Sequence, residues 1–327
     1  MTLTSNKKLP VIIDCDPGAD DFFALIWALI LHKRGYIDIL AITTSGWNVS
    51  ADSTYKNAIR ACMMIWVDTK IAKWKNKEWV EDASYIHGSD GIGGLSKILP
   101  KIKKIDEYQS EDLLIELINK HGNKLNILAL WPVSNLARIE KKQKGILTKT
   151  KAIYSMGGAF FVPWNVTPVA EFNYRYDAEA AKILFDSWAN IICAPLDITT
   201  QQVFTMQDLE PILDHIEHKE HKDFLTQLTK FTIGTNMGFR ETHYQKGFFI
   251  HDANVIAALL YPHLYLGTYY KVSTETKGEF TSGQTVVDER NFPVTETNAF
   301  ILIKQDKKRF LEAMTEDFKD FDFIAKK

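Results

Sequence analysis

The chain has 327 residues, 46% hydrophobic and 24% charged, with a formal net charge of −2. Such a composition supports a large folded core and excludes a disordered chain; with lysines dispersed among acids it leaves no electrostatic footprint for nucleic acid or a membrane surface. Cys15, Cys62 and Cys193 have no metal or redox spacing and read as reduced core residues of a cytoplasmic protein. The first ten residues lack the apolar stretch of a signal peptide, and the longest apolar run, Phe22 to Leu31, is too short to span a bilayer.

The elements begin with a buried strand at Val11 to Ile13, a turn at Pro17-Gly18 and a helix over Phe22 to Leu31. Between them lie Asp14, Asp16, Asp20 and Asp21, the last two in the first helical turn. One of them could cap the helix, but four carboxylates so close repel one another unless a cation neutralises them, and an all-oxygen set suits Ca²⁺ or Mg²⁺ better than zinc. An Asp-x-Asp pair at a strand end is also how aspartate-nucleophile phosphatases begin, so that chemistry stays open at this point.

Ile37 to Thr44 reads as a second buried strand, followed by a loop over Ser45 to Val49 and a helix over Ala51 to Trp66. Further strands are expected at Lys124 to Leu130, Lys151 to Met156 and Asn190 to Leu196, with helices at Ser110 to Lys120, Val133 to Lys142 and Asp177 to Trp188 between or beside them. The second half turns helical at Gln207 to His218, His221 to Met237 and Asp252 to Leu260; strand patterns return at Tyr270 to Thr276, Gln284 to Val287 and Ala299 to Lys304, before a helix at Lys307 to Phe318. The lysine clusters Lys73 to Lys77, Lys101 to Lys104 and Lys141 to Lys144 read as solvated faces.

This alternation predicts an α/β fold over residues 1–327: a single domain with a mostly parallel, Rossmann-like central sheet flanked by helices, and extra helices and strands in the C-terminal half. Such sheets bind ligands at the C-terminal ends of their strands. The segments selected by that rule are Asp16 to Asp21, Ser45 to Asn48, Leu130 to Asn135, Met156 to Asn173 and Leu196 to Thr200. Asn48, Asn165, Glu171 and Asn173 among them carry amides and a carboxylate suited to binding hydroxyls.

Five motifs, in order, resemble those of the inosine-uridine preferring nucleoside hydrolases: Asp14-Cys-Asp-Pro-Gly-Ala-Asp-Asp21, His87-Gly-Ser-Asp-Gly-Ile-Gly-Gly94, Met156-Gly-Gly158, Ala170-Glu-Phe-Asn173 with Asp177-Ala-Glu-Ala, and His251-Asp252 before an Ala-rich helix. The resemblance spans roughly Leu9 to Phe318. It implies hydrolysis of the N-glycosidic bond of a small-molecule ribonucleoside, of inosine or uridine type, with one Ca²⁺ held by Asp16, Asp21, Asp252 and the Leu130 carbonyl. It further implies Asp16 as general base and His251 on the leaving-group side. Asp20, Asn48, Asn165, Glu171 and Asn173 would hold the sugar hydroxyls, and His87, Met156 and Phe172 complete the substrate contacts. His87, where the purine-specific group stacks the base on indoles, points to the inosine-uridine group, and family members are commonly homodimers or homotetramers.

The chain departs from the family pattern at Val67 to Ala83, at Trp131 and over Asn236 to Phe249. A lone Trp131 reads as packing rather than base stacking. Phe239, Arg240, His243 and Tyr244 offer no single register, and Arg240 receives no role. A phosphatase would need a Ser or Thr, a Lys and a later acidic pair at strand ends, and no convincing set is present; the remaining alternative is a nucleoside- or ribose-binding protein that kept the pocket and lost turnover, although Asp16, Asp21, His251 and Asp252 are all present and a loss of activity has no visible cause.

Overall fold

A computed structural model describes residues 8–74, 83–102, 108–290, 296–319 and 321. Residues 75–82, which take in part of the Lys73 to Lys77 cluster and much of the divergent Val67 to Ala83 stretch, lie outside the described residues, as do Lys103 and Lys104.

The described residues form thirteen strands: β1 (Leu9–Cys15), β2 (Ile37–Thr44), β3 (Lys70–Lys73), β4 (Tyr108–Gln109), β5 (Asn126–Ala129), β6 (Ala152–Met156), β7 (Ile191–Ala194), β8 (Val203–Phe204), β9 (Phe248–Phe249), β10 (Tyr265–Tyr270), β11 (Ser273–Thr274), β12 (Thr285–Val286) and β13 (Ala299–Gln305). Nine form one sheet in the order β10-β13-β7-β6-β5-β1-β2-β3-β4, parallel throughout except for β10, which runs antiparallel to β13 at one edge. Helices cover both faces and divide the apolar residues into two buried clusters. This is the mostly parallel α/β sheet that the strand-helix alternation predicts.

The strand expected at Tyr270 to Thr276 is divided instead. Asn298 explains the break: its Oδ1 accepts from the Val272 N–H at 2.7 Å and its Nδ2 donates to the Val272 carbonyl at 3.0 Å, so a side chain takes the place of a neighbouring strand there. The short strands β3 and β4 carry too few residues to have a pattern in the sequence, and two of the four in β3 are lysines.

The helix Ala19–Lys33 is buried from Asp21 to Leu31, unusual for a helix but expected where it runs between the sheet and a second layer. Its contacts with helix Ala253–Leu260 bring the two acidic segments of the chain together. At its far end the indole of Trp27 donates to Asp317 at 2.8 Å, Tyr261 donates its hydroxyl proton to the same carboxylate at 2.7 Å, and Arg34 pairs with it at 2.7 Å. No helix among the described residues is long and apolar enough to cross a membrane.

Candidate active site

The sheet order changes direction at β1: the chain runs outward through β2, β3 and β4, then returns to place β5 on the other side of β1. The carboxyl ends of β1 and β5 therefore border a crevice, the place where open α/β sheets accept ligands. Asp16 leaves β1 into this crevice, and Leu130 leaves β5 beside it, its N–H donating to the Asp14 carbonyl at 2.9 Å.

Asp21 folds back over the turn. It accepts from the N–H groups of Asp16 and Gly18, each at 3.3 Å, which fixes the start of the helix. Asn48 bridges the two carboxylates: its N–H donates to Asp16 at 2.8 Å, and its Nδ2 donates to Asp16 at 3.1 Å and to Asp21 at 2.8 Å. A Cβ on Gly18 would stand 2.7 Å from His87 Nδ1 and 2.8 Å from Asn48 Nδ2, so only glycine lets these side chains close over the turn.

Asp252 enters from helix Ala253–Leu260, and ligand oxygens of Asp20, Asp21 and Asp252 all lie within 4.8 Å of one another. Asp16 is not part of that triple; its carboxylate is occupied by Asn48. Burial first, then the charge of neighbouring carboxylates, pushes Asp16 well above the usual carboxylate range, and burial followed by the charges of Asp21, Asp20 and Asp16 does the same to Asp252. Among the described residues no lysine or arginine pairs with them. A hard divalent cation fits such a set: oxygen donors of high negative charge without a protein counter-ion.

Asp14 faces the other way. Thr43 Oγ1, Trp131 Nε1 and Asn135 Nδ2 donate to it at 2.5, 2.6 and 2.8 Å, and burial still lifts its pKa to about 6. The indole of Trp131 is thus fully buried behind the crevice, where it braces Asp14.

The side wall comes from the segment after β6. Glu171 caps the short helix Phe172–Tyr176, accepting from the N–H groups of Asn173 at 2.8 Å and Tyr174 at 3.2 Å, and it also accepts from Gly158 at 2.8 Å. Asn173 Nδ2 donates to the carbonyls of Met156 at 3.1 Å and Leu130 at 3.3 Å. Asn165 Oδ1 accepts from the Phe172 N–H at 3.0 Å. Across the crevice the Ala19 N–H donates to His87 Nδ1 at 3.3 Å, and burial lowers the pKa of this imidazole.

The roof is the helix Lys219–Phe239, which turns Phe231, Thr232, Thr235, Asn236 and Phe239 toward the cavity. It ends with Arg240 in the left-handed region at φ 60°, with the Arg240 N–H on the Met237 carbonyl and the Glu241 N–H on that of Asn236. That helix stop sends Glu241 back under the last turn. Its Oε1 lies 3.4 Å from His251 Nε2, while His251 Nδ1 lies 2.7 Å from Thr199 Oγ1. Burial disfavours the charged imidazole, yet Glu241, with help from Asp20 and Glu171, outweighs it and raises the His251 pKa. The sequence gives no sign that Glu241 belongs here, because its position depends on where the helix stops.

Every residue expected from the sequence reaches one cavity of about 570 Å³: Asp16, Asp20, Asp21, Asn48, His87, Leu130, Met156, Asn165, Glu171, Phe172, Asn173, His251 and Asp252 all line it. The family model of the inosine-uridine preferring nucleoside hydrolases matches residues 11–312. The chain belongs to this family. It is an enzyme, a nucleoside hydrolase acting on the N-glycosidic bond of ribonucleosides. It is similar to the pyrimidine-specific ribonucleoside hydrolase RihA of Salmonella newport, with 30% identity over 94% of this chain and 97% of that one. It is also similar to a probable uridine nucleosidase of Oryza sativa subsp. japonica, with 31% identity over 87% of each chain. Among solved structures, a purine-preferring ribonucleoside hydrolase from Gardnerella vaginalis superposes with a TM-score of 0.86 at 26% identity, covering 97% of this chain and 99% of that one. Nucleoside hydrolases with both purine and pyrimidine names therefore share this fold.

Proposed function

We propose that the chain is a Ca²⁺-dependent hydrolase of ribonucleosides, taking inosine- and uridine-type substrates, with Asp16 as general base and His251 as proton donor to the leaving base. The observation that carries the reading is the convergence of Asp16, Asp20, Asp21 and Asp252, with no lysine or arginine paired to them among the described residues, on the cavity that also holds His251.

Asp16, Asp21, Asp252 and the Leu130 carbonyl would hold the cation, with Asp20 close enough to Asp21 and Asp252 to contribute. When bound, Ca²⁺ supplies the positive charge that keeps these carboxylates ionised and holds water and ribose hydroxyl oxygens at the crevice floor.

The rest falls to the chain's own groups. Asn48 fixes the Asp16 carboxylate so that it can take a proton from water as the water oxygen bonds to C1′. The bond from C1′ to the base nitrogen breaks, its electron pair leaves with the base, and His251 returns a proton to that base. Positive charge gathers on the sugar as in other glycoside cleavages, and the carboxylates of Asp20 and Glu171 favour it. Asn165 and Asn173 bind sugar hydroxyls, and His87, Met156 and Phe172 close around the substrate. A homodimer or homotetramer forms part of the same reading, and sedimentation of the purified protein reads it directly.

Reducing-sugar release from inosine, uridine, cytidine, adenosine and guanosine, with chelator and then with Ca²⁺ restored, tests the proposal. Ribose release that chelation abolishes and calcium recovers is expected; release indifferent to chelation would overturn the metal assignment, and none from any nucleoside would favour a binding-only role.

A further inference from the structure

Helix Ala51–Ile65 carries a buried polar side chain that does not line the cavity, Asn57. Its Nδ2 donates to two carbonyls from distant parts of the chain, Pro17 at 3.0 Å and Asp90 at 2.8 Å. Arg60, one turn on, donates to Asn57 Oδ1 at 3.2 Å. A guanidinium has donors only, so it fixes the amide with its oxygen toward Arg60 and both amide protons toward the carbonyls. Among the described residues no other hydrogen bond reaches the carbonyl of Pro17 or of Asp90. Pro17 lies in the turn between Asp16 and Asp21, and Asp90 in the Gly-rich loop that follows His87. The two pack closely: at Gly91, with φ 84°, a Cβ would stand 2.9 Å from Val49 and 3.1 Å from the Pro17 carbonyl.

Turn and loop do not depend on this amide equally. The turn is held from elsewhere, by Asp21 on the N–H groups of Asp16 and Gly18 and by Asn48 on both carboxylates. The loop is shaped from within by Asp90, which accepts from the N–H groups of Ile92, Gly94 and Ser96. Besides Asn57, the hydrogen bond that joins loop to turn among the described residues is the 3.3 Å contact of the Ala19 N–H with His87 Nδ1. We infer that Asn57 is a positioning residue: it docks the loop over residues 88–94 on the turn and so sets His87 in place before substrate arrives. The inference rests on the hydrolase reading, in which His87 contacts the nucleoside, and adds to it a residue outside the cavity. A loop already ordered adds no ordering cost to binding; once freed, it is ordered by the substrate itself, and the cost falls on KM rather than on kcat.

The test measures kcat and KM for inosine and uridine, together with backbone hydrogen exchange, in the unmodified enzyme and in Asn57→Leu, which stays close in size and removes both donors. KM is expected to rise about tenfold with kcat changed by less than about twofold. Amides of residues 88–94 should exchange about tenfold faster while those of β1 and helix Ala19–Lys33 keep their rates. In a His87→Ala background the same substitution should change KM by less than about twofold, because two residues acting through one contact do not add. A merely structural role lowers the amount of folded enzyme, and hence kcat, and leaves KM alone; that outcome, or additive losses in the double variant, would overturn the assignment. Should Asn57→Leu fail to fold, Gly91→Ala drives the loop off Val49 and Pro17 with Asn57 intact: the same rise in KM supports the docking, and an unchanged KM overturns it. If the unmodified protein hydrolyses no nucleoside, the hydrolase reading fails separately, and hydrogen exchange decides the role of Asn57: acceleration confined to residues 88–94 supports it, and exchange unchanged or raised throughout overturns it.

Discussion

The floor and the roof of the cavity are built by different means. The floor is set by strand ends: Asp16 and Leu130 stand where β1 and β5 stop, and Asn48 follows β2, so the sheet register itself places them. The roof is set by a helix stop, in which Arg240 takes a left-handed conformation and swings Glu241 inward. Close by, His243 and Tyr244 also have positive φ, at 50° and 70°, so the turn concentrates backbone strain at the lip of the cavity. The floor is held by many hydrogen bonds among strand-end residues, whereas Glu241 owes its place to a single turn.

That comparison is sharpest at the floor. Asp16→Asn should lower kcat by about 10³- to 10⁴-fold while leaving the fold intact, since an amide can still accept from Asn48 but takes up no proton from water. Single-turnover rates with inosine check it, and a loss below tenfold would remove Asp16 from the role of base.

His251 stands between floor and roof. His251→Ala should lower the rate on inosine or uridine by about 10²- to 10³-fold and the rate on p-nitrophenyl riboside, whose leaving group needs no proton, far less. Parallel losses on both would mean that the imidazole serves position alone.

The roof enters through Glu241. Because Glu241 raises the His251 pKa above its ordinary 6.5, the pair stabilises the fold fully below pH 6.5, and that contribution is lost as pH rises through the raised value. Glu241→Gln should therefore depress Tm more at pH 6 than at pH 9, and shift the alkaline limb of the rate on inosine to lower pH. A pH-independent Tm change would detach Glu241 from His251.

The smallest expected effect lies behind the floor. Trp131→Phe keeps the buried ring but removes the indole donor from Asp14, a change of about 1.5–3 kcal/mol in stability, with only an indirect effect on turnover. Urea denaturation measures it; an unchanged midpoint would show that Asp14 is satisfied by Thr43 and Asn135 alone.

The same division explains what could be read from the residues alone. Asp16, Asp20 and Asp21 were legible because a contiguous run puts them at the end of an apolar strand, and Asn48 because it follows a β-branched run at the same end of the sheet. Leu130 and Asp252 needed the resemblance, since nothing local brings three distant segments to one point. Glu241 was illegible: Phe-Arg-Glu carries no glycine to announce a left-handed helix stop, and one residue more of helix would have pointed its side chain elsewhere. The end of β10 was hidden for a similar reason, because Asn298 closes off Val272 from across the fold.

The clasp at Asp317 has a consequence for how the chain acquires its shape. Trp27 belongs to the helix that begins with Asp20 and Asp21, yet its hydrogen-bond acceptor lies 290 residues further along the chain. During synthesis on the ribosome that helix, apolar on nearly every side, is made 290 residues before the acceptor that latches it. The floor of the cavity is thus begun well before it is secured, and a nascent chain released before Asp317 would carry this buried helix unlatched.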